Sequence, residues 1–229
     1  KTFFALSFVN EVMKQQPGHF LIILAPTIEI KRNWGTDAEQ TFGINTQWSN
    51  NVKIDTKARR VHLSPNYVGM IMTYQGLATM CSSEEKKTIL SSFLATKKVL
   101  LVLDECHHLS ESNSWGKILE DMFLNHFNVF ALSLSGTPFR TDNTRIPFLP
   151  FKEVEPGIIE YVPNVVVTYK EGIQDGYLRR ICAITQNGTI QIPTSNDEVF
   201  AADFRDHIHK KWEPARLRGA LQLSKNHTF

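Results

Sequence analysis

Cysteine is scarce in this sequence: three in 229 residues, Cys81, Cys106 and Cys182, far apart and odd in number. With no CxxC pair, neither a disulfide framework nor a zinc ribbon is indicated, and reduced thiols in a cytoplasmic or nuclear compartment are the simplest reading. Long apolar runs are lacking too. "FLIILAP" and "VLLVL" fall far short of the roughly 20 residues a membrane helix needs. "KTFFALSFVNEVMKQQ" carries no cleavage-site pattern, so no membrane partner is expected. Excess charge of either sign is missing, with a formal net charge of +2 and a pI of about 8.4. That balance neither announces nor excludes a nucleic-acid binder, because a local basic groove can sit on a near-neutral protein. Repeats and low-complexity tracts are also missing, which excludes solenoid designs. What remains is ordinary globular composition, 42% hydrophobic and 21% charged, enough for one large domain with a smaller attachment. The chain starts on Lys1 rather than methionine, so the expectation is a piece of a longer protein.

The apolar pattern alternates between two periods. Phe3, Phe4, Leu6, Phe8, Val9, Val12 and Met13 recur at three- and four-residue steps and predict a helix over 3–15 with a broad buried face; Pro17-Gly18 ends it. "HFLIILAPT" is a continuous apolar run, as in a parallel strand covered on both faces. A helix from about Glu29 to Phe42 follows, closed by Gly43. "GMIMTY", "VLLVLDE" and "VFALSLSGT" read as further buried strands. Ser82-Ser83-Glu84-Glu85 opens a helix between the first two, and another lies near Trp115 to Asn125. Strands alternating with helices make βαβ units and a parallel sheet, whose ligands bind beyond the carboxyl ends of the strands. The polar clusters at 26–27, 73–76, 104–108 and 135–140 are therefore expected along one edge. After Arg140 the pattern changes. "TDNTRIPFLPFKEVEPG" reads as a loop, "IIEYVPNVVVTY" as β-rich, "ICAITQNGTIQI" as a hairpin turning at Asn187-Gly188, and Ala201 to Leu223 as a helix.

Asp104-Glu105 ends a buried strand. A carboxylate there can hold Mg²⁺ while its neighbour activates water, although two ordinary acids at a solvent-facing strand end look the same in isolation. Lys1-Thr2 before a helix fits the tail of a phosphate-binding loop, in which the lysine reaches the β/γ-phosphates and the hydroxyl ligates Mg²⁺. A zinc site from Cys106, His107 and His108 is disfavoured, because successive strand residues point to opposite faces.

"KT", "APTIEIKRNW", "MTYQGLA", "LDECHH" and "SGTPFR" together resemble motifs I, Ia, Ib, II and III of superfamily 2 helicases, in order and at about their intervals. The nearest branch is the DExH-type DNA translocases related to repair, restriction and phage-defence helicases. "VTYKEGIQDGYLRRI" is similar to a segment found after motif III in that branch. The resemblance implies a RecA-like P-loop NTPase α/β domain over 1–140, a parallel sheet flanked by helices. A loop and β-hairpin extension over 141–200 would follow, then a helix over 201–229 leading to a second RecA-like domain of the same polypeptide. It implies ATP and Mg²⁺ as cofactors and nucleic acid, DNA favoured over RNA, as partner.

By the same resemblance, Lys1 and Thr2 bind the triphosphate, Thr2 and Asp104 hold Mg²⁺, and Glu105 is the general base. His107 couples to Ser135 and Thr137 across adjacent strand ends, as imidazole–hydroxyl hydrogen bonds permit. Pro26, Thr27, Arg32, Thr73, Tyr74, Gln75 and Gly76 are the expected nucleic-acid contacts, with Lys31 on the same helix, gripping phosphates without reading bases. His108 is expected to be structural, and Arg140 to serve either the phosphates or a domain interface. The glycines of motif I and the arginine-bearing motifs IV to VI are not in the sequence, so the piece alone is expected to be a weak ATPase. The competing readings are a nucleic-acid-binding module of the same fold that does not hydrolyse ATP, against which the intact Asp104-Glu105 pair speaks, and a metal hydrolase built on "DECHH".

Overall fold

The computed structural model describes residues 1–50, 52–124, 128–138, 140, 144–176 and 178, with the backbone alone of 189–193 and 199–203. The chain divides into two compact units, Lys1–Val166 and Val167–Phe229.

The first unit is built on a five-stranded parallel sheet. Its strands are β1 (His19–Ala25), β2 (Thr46–Gln47), β5 (Gly69–Thr73), β6 (Lys98–Asp104) and β7 (Val129–Leu134), in the spatial order β2-β5-β1-β6-β7. Every residue of β1 is buried, as are Val99 to Asp104 of β6. These strands read as unbroken apolar runs because helices cover both faces. Side chains alternate accordingly. Leu21, Ile23 and Ala25 of β1, with Leu100 and Val102 of β6, pack against α1 (Thr2–Gln15) and α2 (Ile28–Thr36). Ile22, Leu24, Leu101 and Leu103 face α3 (Tyr74–Met80), α4 (Glu84–Ala95) and α5 (Ser114–Leu119).

The helix starts follow local chemistry. Thr27, Thr73, Ser83 and Asn113 each accept a hydrogen bond from a first-turn amide, which satisfies a donor the helix itself leaves open. Helix α2 widens into a π-type turn over Asp37–Thr41, and Gly43 follows it at φ 65°, where glycine carries no Cβ penalty.

Several expectations are corrected. Helix α1 sends only Ala5, Leu6 and Val9 fully into the sheet, leaving Phe3, Phe4 and Phe8 exposed among the described residues. A hairpin of β3 (Lys53–Asp55) and β4 (Arg60–His62) stands where no strand was expected. Residues 141–157 are not all loop. Strand β8 (Phe151–Glu155) pairs antiparallel with β9 (Ile158–Tyr161). This hairpin belongs to the first unit, which therefore runs past residue 140: the Tyr161 hydroxyl accepts from the Ile146 amide at 2.8 Å and donates to the Thr144 carbonyl at 3.2 Å.

"VVVTY", which crosses from the first unit into the second, supplies no strand. Instead Thr168 and Glu171 form a capping box that opens α6 (Tyr169–Gln174), each side chain holding the other's backbone amide. Strand β10 (Thr189–Pro193) pairs with β11 (Val199–Asp203), so Ala201 begins no helix. The turn expected at Asn187-Gly188 and the helix expected beyond Asp203 lie outside the described residues. Among the described residues no helix is long and apolar enough to cross a membrane.

One tight backbone approach lies inside the sheet. A Cβ on Gly69 would stand 2.2 Å from the carbonyl oxygen of Leu21 on β1. Gly69→Ala must push two hydrogen-bonded strands apart. It is expected to cost about 2–3 kcal/mol of stability, as overpacked cores do, read as a lower urea midpoint at unchanged slope.

Candidate active site

The parallel register brings the strand ends together: Ala25 lies beside Thr73, Leu24 beside Leu103, and Asp104 beside Leu134. β1 continues into α2 on one face of the sheet, whereas β6 leads toward α5 on the other. Adjacent strands whose chains leave on opposite faces open a crevice at their carboxyl ends. Asp104 and Glu105 sit at that crevice.

Asp104 is 5% exposed. Its Oδ2 accepts from the indole Nε1 of Trp34 at 2.8 Å, and its main-chain carbonyl accepts from the Tyr74 hydroxyl at 2.8 Å. A buried carboxylate needs such partners, because an unpaired one costs several kcal/mol. At Glu105 the chain turns sharply, with φ 49° and ψ 50°, a left-handed conformation that non-glycine residues adopt rarely. The turn swings its side chain onto Lys1, whose ammonium contacts Oε1, while Oε2 lies 3.4 Å from His107 Nδ1. Partial burial alone would raise the Glu105 carboxyl. The Lys1 hydrogen bond and charge, His107 and the Gly136 amide outweigh it and hold the carboxyl below its ordinary range.

His107 Nδ1 lies 2.9 Å from Ser135 Oγ and 3.5 Å from Thr137 Oγ1, and Ser135 Oγ accepts from the Thr137 amide at 3.0 Å. Arg140 donates to the carbonyls of His107 at 2.9 Å and Leu109 at 3.4 Å, and to Thr144 Oγ1 at 3.0 Å. It therefore pins the short 3₁₀ turn Cys106–His108 that follows the carboxylates. The Cys106 thiol is buried and pushed up to about 12 by that burial, so it is a packing group. The His108 ring lies beside that of His107, tilted by 38° with centroids 4.4 Å apart.

Lys1 stands at the N-cap of α1, whose first turn holds no acid and receives no side-chain cap. Such a helix start favours anions, and Thr2 is half-buried in its first turn. The donor set of Thr2 and Asp104 suits Mg²⁺, which uses one or two protein carboxylates and takes its other ligands from phosphates and water. Among the described residues no cluster of three or more His, Cys, Asp or Glu is placed to hold a metal by itself.

An open groove of about 720 Å³ lies on the α2 and α3 side, lined among others by Lys31, Arg32, Lys53 and Lys86, with Trp48 in its wall. None of the described residues lining it is acidic. Thr73, Gln75 and Gly76 line it as well, while Pro26 is half-buried and Thr27 exposed at the head of α2, next to the lining residue Ile28. Tyr74 is the exception among the expected nucleic-acid contacts. It is 1% exposed and its hydroxyl is committed to Asp104, so its side chain cannot meet a strand in the groove. Lys31 is only 8% exposed, and burial, then Arg32, lower its ammonium below the usual range.

Sequence reasoning missed Trp34. The available signal was its position three residues after Lys31 on α2, which sets both on one face of the helix, together with the need of a strand-end carboxylate for an N–H partner. It also missed the β3 lysine, because that hairpin was not expected.

The sequence model of the type III restriction enzyme, res subunit, matches residues 1–140. Among curated proteins, an uncharacterized protein of Mycobacterium leprae is 27% identical over 98% of this chain and 35% of its own length. One of Mycobacterium tuberculosis is 25% identical over 96% of this chain and 34% of its own length. The chain thus spans about a third of these relatives.

Acid stability tests the site's charges. Burial first, then His108, Lys1 and Arg140, hold the His107 imidazole below its ordinary 6.5 against the opposing pull of Glu105. The unfolded chain therefore takes up the proton first, and stability falls as pH drops through 6.5 toward the folded value. Glu105 is depressed from 4.5, so its contribution is complete above that value and is lost as pH falls through its own folded value. His107→Asn is expected to remove the upper window and leave the lower one, read from urea midpoints between neutral and acid pH.

Proposed function

The chain belongs to the type III restriction enzyme res subunit family, whose motor domains have the RecA-like P-loop fold, and from that premise we propose that it is the first motor domain of an ATP-driven nucleic-acid translocase or helicase. The observation that carries this reading is the meeting of Lys1 and Glu105, distant in sequence, at the start of α1. Nucleotide and Mg²⁺ use belongs to such folds in general. Here Lys1 and the open amides of α1 would hold the phosphates, and Thr2 and Asp104 would hold the metal, which would supply charge to offset that developing on the phosphoryl group.

Glu105, whose carboxyl is held below its ordinary range, is ionised at neutral pH. It accepts the proton of the attacking water as oxygen bonds to the γ-phosphorus. The bond from that phosphorus to the bridging oxygen breaks, and ADP leaves. Lys1, Glu105's partner, is also the cation meant for phosphate, so arrival of nucleotide redirects Lys1 and releases the carboxylate toward water. His107, Ser135 and Thr137 carry the change in phosphate occupancy to the end of β7. A second RecA-like domain of the same polypeptide would supply the arginine that stabilises the transition state.

The basic, acid-free groove suits a sugar–phosphate backbone, gripped through Lys31, Arg32, Lys53 and Lys86 without base readout. DNA is favoured over RNA on the style of the motifs.

Glu105→Gln in the full-length protein removes the base and keeps the shape. ATP turnover is expected to fall at least about a hundredfold, within the usual range for a lost general base, while nucleotide affinity persists. Phosphate release and nucleotide titration read the two; unchanged turnover contradicts the motor reading.

A further inference from the structure

Two buried aromatic side chains connect the groove to Asp104. Helix α2 lines the groove with Ile28, Lys31 and Arg32. Three residues beyond Lys31 it buries Trp34 completely, Nε1 donating to Asp104 Oδ2 at 2.8 Å. Helix α3 lines the groove with Gln75, Gly76 and Thr79. It begins at Tyr74, whose hydroxyl donates to the Asp104 carbonyl at 2.8 Å.

The two bonds come from opposite faces of the sheet. Trp34 packs in the cluster of Leu100 and Val102, and Tyr74 in that of Leu101 and Leu103. Asp104 is thus held by its side chain from one face and by its main chain from the other, and both grips are rooted in helices that wall the groove. We infer that Trp34 and Tyr74 are positioning residues that couple a single-stranded nucleic acid in the groove to the orientation of the Asp104 carboxylate, an inference that rests on the motor reading above.

The physics favours coupling over mere packing. Hydrogen bonds buried away from water, whether to the carboxylate as from Trp34 or to the main-chain carbonyl as from Tyr74, are strengthened by the low dielectric around them and are short-ranged. At 2.8 Å, a shift of about 1 Å by either helix takes the pair beyond hydrogen-bond range. A helical turn moves as a rigid unit, so Lys31 and Trp34, about 4.5 Å apart along the axis, move together. Lys31 lines the groove yet is largely buried, so a phosphate that pairs with it pulls on this turn. A second tie steadies the other grip: the Tyr74 ring stacks on Trp115 of α5, centroids 5.9 Å apart.

Trp34→Phe keeps one aromatic ring but removes the pyrrole ring with its N–H; Tyr74→Phe deletes one oxygen. In the full-length protein, each is compared with wild type for ATP turnover with and without a single-stranded DNA oligonucleotide, for affinity toward that oligonucleotide by fluorescence anisotropy, and for melting temperature. The stimulated-to-unstimulated ratio is expected to fall about tenfold, a typical coupling, while oligonucleotide affinity changes less than about twofold. A ratio that survives in both variants overturns the coupling. So does a loss of turnover that merely parallels a loss of DNA affinity and melting temperature, since that marks a structural role. If Trp34→Phe does not fold, Tyr74→Phe carries the same test. A wild-type protein with no DNA-stimulated turnover overturns the motor reading, and the coupling with it; stimulated wild-type turnover with an intact ratio in the variants overturns the coupling alone.

Discussion

A carboxylate placed at the end of a central parallel strand, with helices over both faces, has almost no water to solvate it. Asp104 meets that constraint with the Trp34 indole and with a backbone steadied by Tyr74. The arrangement around it follows. Trp34 must come from α2 and Tyr74 from α3, so those helices are tied to β6 as well as to their own strands. Glu105, the next residue, cannot continue the strand, and its left-handed turn delivers it to Lys1. The chain after it coils into the 3₁₀ turn that Arg140 fastens from the far side.

This packing explains why one edge of the sheet gathers so much chemistry. Parallel strands have all their carboxyl ends at one side, and the change of winding between β1 and β6 leaves a gap there. The helices that wall the basic groove hold Asp104, and the head of α1 reaches its neighbour Glu105, so both are tied to the end of β6. In the proposed motor, that strand end is where both kinds of occupancy can be felt.

Much of the sheet was legible because burial on both faces leaves an unbroken apolar signature, as in "FLIILA" and "VLLVLD". The hairpin β3–β4 was not, because its three-residue strands are partly exposed and carry Lys53, Asp55, Arg60 and His62. Their pairing depends on the core beneath them and not on local pattern. β8 was hidden by flanking prolines that looked like loop, whereas β9 fell in a stretch whose pattern reads as β-rich. At the site, the strand-end polar clusters were readable as a set, since their periodic placement implies a shared edge. The Trp34–Asp104 bond spans 70 positions, and no local pattern announces it. Tyr74 was misplaced for the complementary reason: its neighbours Thr73 and Gln75 do line the groove, but a helix start turns successive side chains in different directions, and Tyr74 points inward.

In the proposed motor, Trp34 keeps one Asp104 oxygen and the other would be left for the metal of the bound nucleotide. A crystal structure of the full-length protein with a non-hydrolysable ATP analogue and Mn²⁺ replacing Mg²⁺ tests it most directly, through the anomalous signal of manganese. The expected result is a manganese peak beside Asp104 with the indole bond to Oδ2 intact. A peak away from Asp104, or a nucleotide bound elsewhere than the head of α1, would contradict it.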